Sequence, residues 1–339
     1  MRYPSFLQKQ GTIGFVAPSF GCAEPPYKTA FLHAQEKLAE SGYKLELGPN
    51  CYAREGIGIS NTPEKCGEEL NDFLCSDKSD VLISCGGGEL MCEVLDYVDF
   101  DRIRKAEPKW YMGYSDNTNL VFLLTTLCDT AAVYGLRRFL RYGTWHESIQ
   151  DALDLLRGKK LVMKGYDTWE KEPLKSEENP LVPYHLTEKR ILRCFPEGDS
   201  SFSGRLIGGC MDCLVNLLGT CYDRVGDFTR RYEEDGFIWF LEACDLNVFS
   251  IRRAIWQMQH AGWFSHVKGF LIGRPLVFGQ EMMGLDQYHA VYDLLKEYQV
   301  PVIMDVDLGH LPPMMPLING SFASVTVRGN ELEVKMELK

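Results

Sequence analysis

The chain has 339 residues, with 36 Lys and Arg against 47 Asp and Glu and a formal net charge of -11. This balance argues against nucleic acid or an anionic membrane as the main partner, because both demand a basic surface. With 45% hydrophobic and 24% charged residues, the composition is that of a globular protein long enough for two domains.

Met1-Arg2-Tyr3-Pro4-Ser5-Phe6-Leu7-Gln8 carries no apolar core of export-signal length, and no stretch approaches a membrane span. The expectation is a cytoplasmic protein. Its twelve cysteines are scattered, often inside apolar runs, so reduced and buried thiols are expected. Cys210-Met211-Asp212-Cys213 is a C-x-x-C without a second pair at zinc spacing. Core packing is the preferred reading, with a zinc or redox role as the alternative.

In chain order, Ile13-Gly14-Phe15-Val16-Ala17 reads as a strand, and Tyr27 to Ser41 as a helix with Phe31, Ala34 and Leu38 on its apolar face. Tyr43-Lys44-Leu45-Glu46-Leu47 alternates like a strand, and Thr62-Pro63-Glu64 opens a second helix. Asp80 to Cys85 has the pattern of a buried strand; Gly86-Gly87-Gly88, a further helix from Glu89 and another apolar strand at Trp110-Tyr111-Met112 follow. This alternation predicts an open, Rossmann-like α/β domain over residues 1–165. Residues 166–200 are charged, Pro-containing and weakly periodic, and read as a linker and loop. Residues 201–339 are read as a β-rich C-terminal domain, with strands at Phe237–Leu241, Val267–Ile272 and Val302–Met304. It also holds a helix from Val248 to Ala261 and a closing hairpin turning at Gly329-Asn330.

The most informative run is Gly113-Tyr114-Ser115-Asp116-Asn117-Thr118, which joins an apolar strand to residues suited to open a helix. That is the layout of a nucleophile elbow, although Asn117 stands where the full G-x-S-x-G pattern has its last Gly. A structural turn with a capping Ser fits the same residues. Glu242 ends an apolar strand, where a carboxylate is costly unless paired, and His310 sits between Gly309 and Leu311-Pro312-Pro313. The order Ser115, Glu242, His310 is that of a nucleophile, an acid and a base, while a strand-end ion pair and a loop His remain alternatives. Gly86-Gly87-Gly88 suits either a second oxyanion donor or a phosphate cradle.

These segments in order resemble the L,D-carboxypeptidases, the serine peptidases that include murein tetrapeptide carboxypeptidase and the microcin C self-immunity peptidases. Gly11–Ser19, Ser84–Gly88, Gly113–Thr118, Gly204–Gly209 with Gly219-Thr220, Leu241-Glu242 and Gly309–Pro313 each look like a family motif. The resemblance implies Ser115 as nucleophile, His310 as base and Glu242 as its orienting acid. It places an oxyanion hole at the N–H of Asp116 and in the Gly87-Gly88 turn, and implies a homodimer without metal or cofactor. Cys210 stands where the family usually has Asn, Leu136 where Pro is common, and Glu89 follows the Gly run.

The expected function is amide hydrolysis with a Ser-His-Glu triad, on peptidyl or aminoacyl-nucleotide conjugates of the microcin C type or on murein tetrapeptides. Trp169 is a candidate nucleobase platform or else a loop anchor. Arg137, Arg138, Arg205 and Arg274 are candidates for holding a substrate carboxylate. The rival reading is a non-enzymatic α/β module that binds a phosphorylated ligand at Gly86–Gly88.

Overall fold

A computed structural model describes residues 1–135 and 146–339. Leu136, Arg137 and Arg138 lie outside the described residues. The chain divides into two compact units, one of residues 1–160 and 172–185, the other of residues 161–171 and 186–339.

In the first unit, strands and helices alternate: β1 (Thr12–Val16), α1 (Tyr27–Glu40), β2 (Lys44–Leu47), α2 (Pro63–Cys75), β3 (Val81–Ser84), α3 (Phe100–Lys105), β4 (Trp110–Gly113), α4 (Thr118–Thr126), β5 (Ala132–Tyr134) and α5 (Glu147–Leu156). The strands pair in the order β5-β4-β3-β1-β2, all parallel. Helices on such a sheet demand apolar strands, and β3 and β4 are buried at every residue. Phe31 of α1 packs edge-on against Phe15 of β1 with ring centroids 5.2 Å apart. Full burial of a side chain of that size is worth about 1.5–3 kcal/mol. Thr62 caps α2 by accepting the Lys65 N–H, ahead of Pro63 at the first helical position. The chain leaves β1 toward β2 on one side and later enters β3 on the other. The loops after β1 and β3 therefore diverge from a topological switch point, where open α/β sheets open their binding crevices.

The second unit begins with β6 (Val162–Lys164), β7 (Thr168–Trp169), β8 (Glu188–Lys189) and β9 (Arg193–Phe195). It continues with β10 (Ser200–Cys210), α6 (Met211–Leu217), α7 (Val225–Arg231), β11 (Phe237–Glu242), α8 (Val248–His260) and β12 (Val267–Gly273). The short β13 (Glu281–Met282) and β14 (Leu285–Asp286) precede α9 (Gln287–Leu295), β15 (Val302–Val306), β16 (Leu317–Asn319), β17 (Phe322–Arg328) and β18 (Glu331–Glu337). Its main sheet has the order β6-β18-β17-β10-β11-β12-β15-β9. The central four, β10, β11, β12 and β15, are parallel, and antiparallel strands flank them. The α/β class, with an open parallel N-terminal sheet and a β-rich C-terminal unit, is the architecture expected from the sequence. Among the described residues no helix is long and apolar enough to cross a membrane.

Candidate active site

Ser115 follows β4 at the turn from strand to helix. Tyr114 is extended, Ser115 has φ +61°, and a short 3-10 turn from Ser115 to Asn117 leads into α4. A left-handed serine between a strand and a helix is strained by on the order of 1–3 kcal/mol, a cost that the surrounding fold must hold. Gly113 makes the turn sterically possible, because a Cβ there would stand 2.6 Å from the Cβ of Asn117. The Ser115 N–H donates to the Tyr134 hydroxyl of the neighbouring β5, at 3.3 Å. Ser115 and Asp116 thus occupy the first turn of a helical run, where backbone N–H groups lack intrahelical acceptors.

The Gly86–Gly88 loop lies against the loop after β1. A Cβ at Gly86 would fall 1.7 Å from the Phe20 carbonyl oxygen, and one at Gly88 would fall 2.3 Å from Ser19 Oγ. Only Gly permits so close an approach. The Phe20 N–H donates to the Gly87 carbonyl at 2.6 Å, joining the two loops. Asp116 is buried and accepts hydrogen bonds from Ser19 Oγ at 2.6 Å, the Met91 N–H at 3.1 Å and Asn119 Nδ2 at 3.2 Å. Burial raises its carboxyl to about 6 against the pull of these donors.

In the second unit, Glu242 ends β11 and His310 lies in the turn after β15, at the carboxyl ends of parallel strands. His310 Nδ1 and Glu242 Oε2 are 2.9 Å apart, with Glu242 buried and the His310 side chain 12% exposed. A carboxylate can only accept, so Nδ1 carries the proton and Nε2 is left as the basic nitrogen. Gly309 has φ +96°, and a Cβ there would stand 2.7 Å from Glu242 Oε2. The loop behind Glu242 is held by Asp212, which accepts the N–H groups of Cys244 at 3.0 Å and Asp245 at 2.8 Å. Burial raises the Cys244 thiol above its ordinary pKa, although its hydrogen bond to His310 pulls the other way. It therefore stays a neutral thiol beside the imidazole.

The structure thus brings Glu242 and His310 together in one unit, and Ser115, Asp116, Gly87 and Gly88 together in the other. Trp169 is only 3% exposed. Its Nε1 donates to the Lys189 carbonyl at 3.2 Å, Phe278 meets its ring edge-on, and the Arg274 guanidinium lies 5.0 Å from its centre. These are the surroundings of a loop anchor. Arg274 donates to the Asp305 carbonyl at 2.8 Å and to Asp307 Oδ1 at 2.6 Å, and Arg205 pairs with Asp235 and stacks on Tyr232. Both are buried, and these partners lie inside the second unit. Cys210 and Cys213 are buried, and the Cys210 thiol, raised by its contact with Cys213 and by burial, donates to Asp212. Among the described residues no three His, Cys, Asp or Glu side chains converge to hold a metal ion. Sequence reasoning gave no role to Ser19, Asp212 or Cys244, and marked Asn117 only as the residue in place of the last Gly of the elbow. Ser19 had one signal, its place directly after the first strand at the switch point.

A serine on an elbow above a parallel sheet, with a buried carboxylate–imidazole pair in a second unit, belongs to the chemistry of serine-type hydrolases. Comparison with known proteins narrows that class. The family model for the LD-carboxypeptidase N-terminal domain matches residues 13–135, and that for the C-terminal domain matches residues 203–325. The chain belongs to the LD-carboxypeptidase family and is a peptidase of the serine carboxypeptidase type. A candidate carboxypeptidase of Vibrio cholerae is 23% identical over 93% of this chain and 92% of its own length. The candidate carboxypeptidase YocD of Bacillus subtilis is 26% identical over 92% of both chains. The fold is similar to the MccF-like protein of Bacillus anthracis, with TM-score 0.83 and 20% identity over 99% of this chain and 100% of that one. It is also similar to MccF solved with glutamyl sulfamoyl guanosine, with TM-score 0.80 and 22% identity over 98% of each.

Proposed function

We propose that the protein is an amide hydrolase with a Ser115–His310–Glu242 triad, acting on peptidyl or aminoacyl-nucleotide conjugates. The observation that carries the reading is Ser115 at φ +61° on the strand-to-helix turn, a strained placement with an evident use in presenting a nucleophile. In this mechanism His310 Nε2 takes the Ser115 proton as Oγ attacks the carbonyl carbon, and Glu242 holds the ring through Nδ1–H. The oxyanion accepts from the N–H of Asp116 and from Gly87 or Gly88. Loss of one such donor typically costs about 10²–10³ in rate. His310 then protonates the leaving amine, and water, deprotonated by the same nitrogen, releases the acid and restores Ser115.

The nucleotide-conjugate reading is supported by the ligands of the structural neighbours. MccF was solved with glutamyl sulfamoyl guanosine, and the MccF-like protein of Streptococcus pneumoniae (TM-score 0.78, 20% identity, 96% of this chain) with AMP. Murein tetrapeptide is the second reading, favoured by the family match itself. The test is mass spectrometry of products from murein tetrapeptide and from an aminoacyl-adenylate analogue, with wild type and Ser115→Ala. Cleavage of the adenylate analogue, lost in Ser115→Ala by several orders of magnitude, is the expected result. Release of D-alanine alone would assign murein. An activity untouched by Ser115→Ala would overturn the triad and favour a module that binds a phosphorylated ligand at Gly86–Gly88.

A further inference from the structure

The elbow carries two side chains that the reaction does not use, and both reach into the glycine loop. Asn117 Nδ2 donates to the Gly86 carbonyl at 2.6 Å, at the start of that loop. Its Oδ1 accepts from the hydroxyl of Tyr111, a residue of β4, at 2.5 Å. Asp116 accepts the Met91 N–H at the loop's other end, and Ser19 and Asn119 donate to the same carboxylate. The segment 86–91 is therefore fastened at both ends by consecutive residues of the elbow.

We propose that the Asp116 and Asn117 side chains are positioning residues that hold the Gly87-Gly88 turn in register with the Ser115 elbow. Through them the two halves of the oxyanion hole face one point. The inference rests on the function proposed above. It explains two features that would otherwise be costs. A carboxylate next to a developing oxyanion opposes it electrostatically, and hydrogen bonds donated to that carboxylate offset part of the opposition. Here the donors are Ser19 Oγ, the Met91 N–H and Asn119 Nδ2. It also explains why an Asn replaces the last glycine of the elbow pattern. Gly would supply space alone, whereas Asn supplies a donor to Gly86 and an acceptor for Tyr111. Gly113 leaves the room that Asn117 needs.

The test is the rate of Ser115 phosphonylation by a fluorophosphonate, which needs no knowledge of the substrate. Final stoichiometry reports the folded fraction, and the rate reports how well the nucleophile and oxyanion donors are aligned. Wild type should label at Ser115, and Ser115→Ala should not; a wild type that fails to label would overturn the proposed function itself. Asn117→Gly and Asp116→Asn should reach full stoichiometry at a rate lower by roughly 10²-fold, the loss that a misplacement of about 1 Å brings. Ser19→Ala, the mildest change, should slow labelling by a smaller factor. A cleaved substrate should show the same losses in kcat, with KM little changed. Wild-type rates in all three variants, or losses confined to stoichiometry, would overturn the proposal.

Discussion

Glu242 holds a carboxylate at 1% exposure, and what makes that burial tolerable is the His310 ring 2.9 Å away. Removing the charge while keeping the shape separates these roles. In Glu242→Gln the amide can donate as well as accept, so it no longer enforces a proton on Nδ1, and Nε2 loses its standing as the base. We expect kcat to fall by about 10³–10⁴, the scale seen when a triad acid becomes an amide. KM and the thermal midpoint should change little. Steady-state kinetics with circular-dichroism melting would check this, and a variant within threefold of wild type would remove Glu242 from the mechanism. Glu242 and His310 were legible as candidates because each breaks a local rule: an acid ending an apolar strand, a ring locked between Gly309 and two prolines. Asp212 was not legible. Its part, accepting two backbone N–H groups from a loop 32 and 33 residues away, exists only after folding.

The elements that declared themselves in sequence are those whose period is set by burial. The pattern from Tyr27 to Ser41 predicts a helix and forms α1 over Tyr27–Glu40; that from Val248 to Ala261 predicts another and forms α8 over Val248–His260. β10 did not declare itself, although it is the longest strand of the second unit and lies in the middle of its sheet. In its inner half Gly208 and Gly209 interrupt the apolar run after Leu206-Ile207, and a Cβ at Gly208 would fall 1.8 Å from the Phe240 carbonyl oxygen of β11, so the strand pattern is broken where the sheet packs most closely. β7, β8 and β9 are two or three residues long, too short for any period to show. Likewise the helix expected from Glu89 is a 3-10 segment, Met91–Tyr97, before the short α3. Glu69 on α2 shows how one element fixes others. Its oxygens accept the Ala17 N–H after β1 at 2.8 Å and the Asn50 N–H after β2 at 2.9 Å. Burial, outweighing these donors, raises its carboxyl from 4.5 to about 7. The folded state thus holds the proton more tightly than the unfolded state, so stability is greatest below pH 4.5 for this group and is lost as pH rises toward 7. At about 1.4 kcal/mol per pH unit the effect is on the order of 3 kcal/mol. Glu69→Gln cannot ionise. Measured by urea unfolding, its stability relative to wild type should therefore rise by about that amount between pH 4.5 and pH 8. An unchanged difference between the two pH values would mean that folding leaves the Glu69 carboxyl at its ordinary pKa.

For the whole molecule the governing quantity is the net charge of -11. Both proposed substrate classes carry negative charge, as peptide carboxylates or as a nucleotide phosphate. Two of the four arginines named as candidates to receive such a group, Arg205 and Arg274, are instead buried in ion pairs with Asp235 and Asp307. The long-range field of the chain thus opposes the approach of an anionic substrate, and salt should relieve that opposition. At about 0.1 M ionic strength the screening length is roughly 10 Å, shorter than the reach of the summed surface charge. Between about 20 mM and 200 mM salt, kcat/KM for an anionic substrate should therefore rise by roughly two- to fivefold. A neutral amide analogue of the same substrate should show little change. The analogue matters because salt also acts on folding and on water activity, and those effects would move both substrates alike. If kcat/KM for the anionic substrate falls instead, cations close to the site overrule the net charge. The substrate's negative group would then be held by a local contact formed on binding.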